Sequence, residues 1–159
     1  MTVDSLIQEI IEREGGFVDN PADRGGRTIY GIAERANPDA WAKGPPTLEQ
    51  AKAIYLRKYV QAPGFLAIED EALRAQLGDF GVNSGPLLAI QKLQLALGVE
   101  ADGILGQETL KAANAAEAVS LGNRLMAERL KMFGRIVAKD KKQAAFVSGW
   151  INRALAFLR

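Results

Sequence analysis

Glu14, Asp23 and Thr28 are the polar residues whose types and spacing best suit a chemical reaction, since they follow one another at intervals of nine and five residues. Hydrolysis of a sugar bond needs an acid that protonates the leaving oxygen. It also needs a second polar group that holds water or stabilises positive charge on the opposite side. A loop that folds back over the end of a helix can bring such groups together. Taken singly, Asp19 and Asp23 are also typical turn formers.

The chain contains no cysteine and no histidine. This excludes nucleophiles activated by histidine, as well as zinc sites built from histidine or cysteine. Carboxylates remain as the main groups for proton transfer. Hydrolysis by carboxylates alone needs neither a metal nor a cofactor, so on that interpretation we expect none.

Charge is distributed unevenly, although the net charge of the chain is only +1. From position 123 to the end there are nine Lys and Arg residues against two acids, whereas the earlier part is acidic. The last helix places Lys141, Lys142 and Arg153 beside an apolar stripe. Two explanations remain open: this helix contacts an anionic membrane, or it packs on the core and its basic face is solvated. No motif that reads a nucleic-acid groove is present, so nucleic acid is not an expected partner.

The helix that positions Glu14 is indicated by Ile7, Ile10 and Ile11, which share one helical face with it. This spacing predicts a helix from Asp4 or Ser5 to Glu14. On that face Glu14 is expected to point to the interior, where loss of water favours the protonated carboxyl. A glutamate that turns outward to solvent is the alternative.

Glycine, proline and asparagine divide the rest of the chain. Residues 17–32 are expected to form an irregular loop or a small hairpin that returns over the helix end, and residues 37–46 a second loop. Thr47 and Gln50 form a capping box that starts a helix through about Tyr59. Further helices are expected at 68–82, 86–97, from 107, at 116–138 and at 141–158. The fold class is therefore α+β and predominantly α-helical.

The stretch "EGGFVDNPADRGGRTIYGI", residues 14–32, resembles the signature of the glycoside hydrolase 108 family of N-acetylmuramidases, which includes phage endolysins and related cell-wall hydrolases. The resemblance implies a lysozyme-like globule in which Glu14 is the catalytic acid. The spacing is also similar to the Glu, Asp and Thr triad of phage T4-type lysozymes, whose threonine stands one residue further on than Thr28. Asp23 is thus the firmer of the two implied partners of Glu14.

Residues 80–110 resemble the predicted peptidoglycan-binding segment that accompanies this family, and they contain the pattern D-G-x-x-G-x-x-T from Asp102 to Thr109. Residues 146–153, "FVSGWINR", match the family's G-W-x-x-R ending. We therefore expect a catalytic segment at 1–85 and a helical peptidoglycan-binding-like segment at 86–159, packed into one globule. From its own residues, the D-G turn has a structural explanation as well as a binding one.

Three further residues are candidates for contact with substrate. Tyr30 follows Thr28 in the returning strand, while Asp79 and Asn83 lie one turn apart on a predicted helix. An aromatic anchor in the core, a helix cap or a buried hydrogen bond would explain them equally well.

The leading prediction is a monomeric hydrolase of the β-1,4 bond between N-acetylmuramic acid and N-acetylglucosamine. A lytic transglycosylase and a non-catalytic module for wall binding or secretion are the alternatives. The N-terminus lacks a signal-peptide pattern, so we expect synthesis in the cytoplasm and action on the wall after release, which the resemblance to endolysins would assign to a holin.

Overall fold

The computed structural model describes residues 1–19 and 26–158. The prediction of a predominantly α-helical α+β fold of the lysozyme-like kind is confirmed. In chain order the elements are α1 (Val3–Glu14), β1 (Thr28–Ile29), β2 (Ile32–Ala33), α2 (Pro38–Trp41), α3 (Leu48–Leu56), α4 (Glu71–Ser84), α5 (Pro86–Leu97), α6 (Gln107–Ala115), α7 (Ala118–Lys139) and α8 (Ala144–Leu155).

Helix α1 forms as the isoleucine spacing predicts, although it begins slightly earlier than expected. The side chain of Thr2 accepts a hydrogen bond from the Ser5 amide, and the Ser5 side chain accepts one from the Thr2 amide. This reciprocal cap satisfies amides that have no partner inside the helix. Ile7, Ile10 and Ile11 are buried on one face, and the helix ends at Gly15, whose φ is +77°.

The predicted hairpin is present, and it does return over the end of α1. Strands β1 and β2 pair antiparallel, with Ile29 opposite Ile32. The two turn residues, Tyr30 and Gly31, both have positive φ, +51° and +73°. This is the backbone that a tight two-residue hairpin requires, because its twist matches that of the strands. The Tyr30 amide donates to the Gly15 carbonyl at 3.1 Å, which fixes the turn onto the helix end.

Several predicted boundaries differ from the observed ones. The expected loop at 37–46 contains the short helix α2, with Pro38 in its first turn. Helix α4 begins at Glu71 and not near Ile68, because Asp70 caps it by accepting from the Leu73 amide at 2.7 Å. A 3₁₀ turn at Phe65–Ala67 comes before it. A π-helical segment, Arg57–Gln61, continues α3 to about the expected end, and a 3₁₀ turn, Lys141–Gln143, precedes α8.

Helix α4 lies at the centre of the fold and packs against α1, α5 and α7. Its middle is buried all round: Leu77 and Phe80 have no exposed surface, and Asp79 is 1% exposed. A helix that is buried on all sides belongs to the core of a larger assembly of helices. An ionised residue at its middle therefore requires partners, and these are described below.

The last helix uses most of its apolar stripe for packing. Ala154 is buried, Phe157 is buried just beyond the end of α8, and Trp150 packs on Phe133 with ring centroids 5.3 Å apart. Phe146, at the start of the stripe, is 57% exposed. Within the described residues no helix is long and apolar enough to span a bilayer. Contact of α8 with a membrane surface stays a prediction.

Candidate active site

Glu14 is the last residue of α1, and its side chain lies against the hairpin turn. A Cβ atom added to Gly31 would stand 2.9 Å from Glu14 Cγ and 3.0 Å from Glu14 Oε2, and it would also collide with the Tyr55 hydroxyl. The absence of a side chain at Gly31 therefore makes room for the Glu14 carboxylate. The residue as a whole is exposed, so the expectation that it points into the interior is wrong: it is in the final turn, where the buried stripe has already ended.

Tyr55 forms the floor beneath this carboxylate. The tyrosine is buried, and its hydroxyl donates to the Tyr30 carbonyl at 3.1 Å. Burial, and then the negative charge of Glu14, raise the pKa of Tyr55 to about 12. The phenol is therefore neutral near pH 7, and Glu14 has an uncharged hydroxyl as its neighbour. No sequence pattern connects Tyr55 with Glu14, because the two residues are 41 positions apart.

The other predicted catalytic residues lie on or beyond the hairpin. Thr28 is half-buried in β1, and its amide and carbonyl both pair with Val18, at 2.9 and 2.8 Å. This pairing fixes the Thr28 backbone within the hairpin next to the end of α1. Asp23 lies outside the described residues. Asp19, the neighbouring candidate, is exposed.

Tyr30 is held through its backbone. Its amide and carbonyl bind Gly15 and Tyr55, and its positive φ is uncommon for a bulky residue. Such a conformation persists only where the surroundings impose it, and it is concentrated near functional sites. The half-buried Tyr30 is thereby placed at the tip of the hairpin, with its backbone bound to the end of α1.

An ion pair and an aromatic contact stabilise the outer side of the hairpin. Arg27 binds Glu34 with two hydrogen bonds, of 2.8 and 2.6 Å, and its guanidinium lies 5.1 Å from the centroid of the Trp41 ring. The Trp41 indole N–H donates to the Ile32 carbonyl at 3.2 Å. Phe17, 51% exposed, packs on the same indole. The sequence analysis did not single out Arg27 or Glu34, because neither belongs to a periodic pattern.

Asp79 is the centre of a buried ionic cluster. Its Oδ2 lies 2.7 Å from Nη1 of Arg129, and its Oδ1 accepts from Nε of Arg153 at 2.6 Å. Burial lowers the pKa of Arg129, while the negative charge of Asp79 opposes that shift. The Arg129 guanidinium also stacks on the Phe80 and Phe133 rings, 4.9 and 5.8 Å from their centroids. Two cations thus share one buried carboxylate.

The two residues of the predicted pair, Asp79 and Asn83, therefore differ in burial. The side-chain Nδ2 of Asn83 donates to the Asp79 backbone carbonyl at 2.9 Å and lies 3.3 Å from Asp79 Oδ2. Asp79 is buried, whereas Asn83 is exposed. Asp79 has no surface through which to touch a glycan directly. Its position suits a role in orienting Arg153.

A groove of about 450 Å³ lies between the end of α1 and helix α8. Its polar and aromatic lining residues are Arg13, Asn83, Trp150, Asn152 and Arg153, and we call it the α1–α8 groove. Arg13 directly precedes Glu14, and the charge of Arg153 is near enough to act on the pKa of Tyr55, in the lowering direction. Glu14 is not one of the lining residues, but it directly follows Arg13, which is.

The D-G-x-x-G-x-x-T turn is organised by one buried side chain, Gln94. Its Nε2 donates to Oδ1 of Asp102 at 2.7 Å and to Oγ1 of Thr109 at 3.1 Å, and its Oε1 accepts from the Gly103 amide at 2.8 Å. The Ile104 amide binds Asp102 and, as the largest effect, lowers the pKa of that carboxyl. These contacts explain the D-G-x-x-G-x-x-T pattern as the chemistry of a turn. In residues 1–19 and 26–158 no group of three or more acidic side chains is arranged to hold a metal ion.

The predominantly helical α+β fold with its small two-stranded hairpin is lysozyme-like. Residues 7–85 match the family described as "Glycosyl hydrolase 108", and residues 88–155 match the one described as "Predicted Peptidoglycan domain". Among solved structures, SagA of Brucella abortus is similar, with 30% sequence identity and a TM-score of 0.69 over 99% of this chain and 95% of that one. No curated protein matches. The chain belongs to the glycosyl hydrolase 108 family, and it is a hydrolase of peptidoglycan.

Proposed function

We propose that the protein cleaves the β-1,4 bond between N-acetylmuramic acid and N-acetylglucosamine, with Glu14 as the general acid. The observation that supports this most directly is the position of the Glu14 carboxylate, which lies by the hairpin turn and the Tyr55 hydroxyl and follows Arg13, a lining residue of the α1–α8 groove. A glycan strand in that groove would displace water from the exposed carboxyl. A general acid must come within hydrogen-bond reach of the oxygen that it protonates.

Asp23 is the proposed second group. Hydrolysis at a sugar carbon proceeds through a centre with positive character, and a carboxylate on the face opposite the acid either positions water or stabilises that charge. In sequence, Asp23 comes between α1 and β1, and Thr28 is the first residue of β1. In this proposal Asp23 acts on the water, and Thr28 supports it.

The test is the Glu14→Gln variant in a turbidity assay with purified peptidoglycan. Glutamine keeps the size of the side chain but has no proton to donate, so we expect clearing to slow by roughly 10² to 10⁴-fold, the usual contribution of a general acid. Because Glu14 is exposed, the melting temperature should change little. Glu12→Gln, an exposed change in the same helix, is the matched control and should clear normally. Undiminished clearing by the Glu14 variant would remove this residue from the mechanism.

Product analysis separates the proposal from its alternatives. A hydrolase releases fragments with a free reducing end, whereas a lytic transglycosylase leaves a 1,6-anhydro end that mass spectrometry detects as the loss of one water. A module that only binds the wall would sediment with peptidoglycan and release no fragment. Asp23→Asn is informative in the same assay, because it should reduce hydrolysis without producing anhydro ends.

A further inference from the structure

We infer that Arg153 binds a carboxylate of the substrate in the α1–α8 groove, so that α8 gives the enzyme a preference for anionic strands. This inference rests on the proposed function, because the ligand is part of the strand that Glu14 would cleave. Peptidoglycan offers carboxylates on one side of its repeating unit only: on the lactyl group of muramic acid, or on the peptide attached to that group. N-acetylglucosamine carries none.

The charge of the buried cluster is the first observation. Arg129 and Arg153 carry two positive charges, and Asp79 supplies one negative charge. Arg129 is 2% exposed and enclosed by two aromatic rings, whereas the Arg153 side chain is 20% exposed. The excess positive charge therefore has its access to solvent through Arg153, and an anion is attracted there more strongly than it would be by a charge in open water.

The hydrogen bonds of Arg153 are the second observation. Its Nε donates to Asp79, and its Nη2 is buried without a hydrogen-bond partner among the described residues. A guanidinium has five N–H donors, and the bond to Asp79 uses one of them. The remaining donors suit a carboxylate, because a hydrogen bond between two charged groups is stronger than one between neutral groups. A ligand there would also satisfy a donor that is costly to leave unpaired.

The lining of the groove is the third observation. Its described residues include two arginines, Arg13 and Arg153, two amides, Asn83 and Asn152, and no acid. Asn83 is tied to Asp79, which in turn fixes Arg153, so the guanidinium is oriented before any ligand arrives. Such preorganisation reduces the entropic cost of binding. The Trp150 ring supplies an apolar wall beside these donors.

The experiment compares strands that differ only in charge. Purified peptidoglycan strands are prepared with carboxylates intact or converted to neutral amides, each with peptides attached or removed by an amidase. For the wild-type protein we expect kcat/KM to be about tenfold or more higher on the carboxylate form, the usual scale of a hydrogen bond to a charged group. The peptide is attached through the lactyl carboxyl group, so the lactyl carboxylate is free only after amidase treatment. A preference measured on peptide-free strands therefore identifies the lactyl carboxylate, and a preference measured on strands that keep their peptides identifies a peptide carboxylate.

Arg153→Gln should bring the ratio of kcat/KM on carboxylate strands to kcat/KM on amide strands close to one. Arg153→Lys should restore part of the preference, because lysine returns the positive charge but not the planar guanidinium. Arg124→Gln, a change at an exposed arginine of α7, is the control and should keep the wild-type ratio. Melting curves show whether each variant is folded. If Arg153→Gln is not folded, the kcat/KM ratio of the wild-type protein and that of Arg153→Lys still test the inference.

The outcomes separate the two proposals. Equal cleavage of both strand types by the wild-type protein overturns the inference and leaves the proposed function intact. So does an unchanged preference in a folded Arg153→Gln variant. Failure to cleave either strand type contradicts the proposed function itself.

Discussion

Replacement of Asp79 by asparagine should destabilise the protein strongly. The substitution keeps the shape of the side chain but leaves Arg129 and Arg153 without their shared counter-ion. Loss of one partner from a buried ion pair costs about 3 to 5 kcal/mol, because the remaining charge stays desolvated. Asp79 and Arg129 are 1% and 2% exposed, which places them within that range, and Arg153 has some access to solvent. For a domain of this size, each kcal/mol lowers the melting temperature by about 3 °C, so we expect a fall of about 9 to 15 °C.

Thermal unfolding followed by circular dichroism at pH 7, with urea unfolding as a second measure, tests this expectation. Glu9→Gln is the matched control, since it breaks the Arg13–Glu9 pair, whose side chains are 47% and 42% exposed. An exposed pair is worth at most about 1 kcal/mol. A second change, Arg129→Met, should recover part of the loss by removing the buried cation. The reasoning is refuted if Asp79→Asn melts no lower than the control, or if the double variant is less stable than the sum of the single changes.

Three other changes test the rest of the structure. Gly31→Ala should lose about 1 to 2 kcal/mol of stability, since φ is +73° at this position, and thermal unfolding measures this loss. It should also slow the clearing of peptidoglycan in the turbidity assay, because the new Cβ displaces Glu14. The pKa of Tyr55 is about 12 in the folded protein and near 10 in the unfolded chain, so its contribution to the free energy of unfolding is present below pH 10 and should be lost between pH 10 and pH 12. Urea unfolding at several pH values should show a smaller fall in the free energy of unfolding for Tyr55→Phe than for the wild-type protein. An equal fall would contradict the assignment. Gln94→Ala should cost about 2 kcal/mol or more in urea unfolding by leaving Gly103 and Asp102 without their buried partner, and a neutral result would mean that other groups organise the turn.

Local patterns predicted the local structure well. The isoleucine spacing predicted α1, and the reciprocal hydrogen bonds of Thr47 and Gln50 form as the capping box requires. The glycine-rich stretch predicted the hairpin, because the Tyr30–Gly31 turn depends on residues that are adjacent in sequence. Boundaries were less accurate where caps decide them: Asp70 was not recognised as the residue that starts α4.

Features that depend on distant parts of the chain could not be predicted in this way. The Asp79–Arg153 hydrogen bond joins residues 74 positions apart, and no periodicity within a helix identifies its partner. The exposure of Glu14 could not be decided from the sequence either, because helical spacing fixes a direction but does not say where the covering layer ends. The contact of Glu14 with Tyr55 and Gly31 depends on how α1, α3 and the hairpin meet.

The position of Asp79 has a consequence for how such a protein can evolve. Asp79 lies within the region that matches the hydrolase family, whereas Arg129 and Arg153 lie within the region that matches the peptidoglycan domain. A recombination event that joined this first half to an unrelated second half would leave a buried anion without compensation. Descendants of such a crossover would survive only where the incoming half also supplied cations at these places, so the two halves are expected to be inherited together.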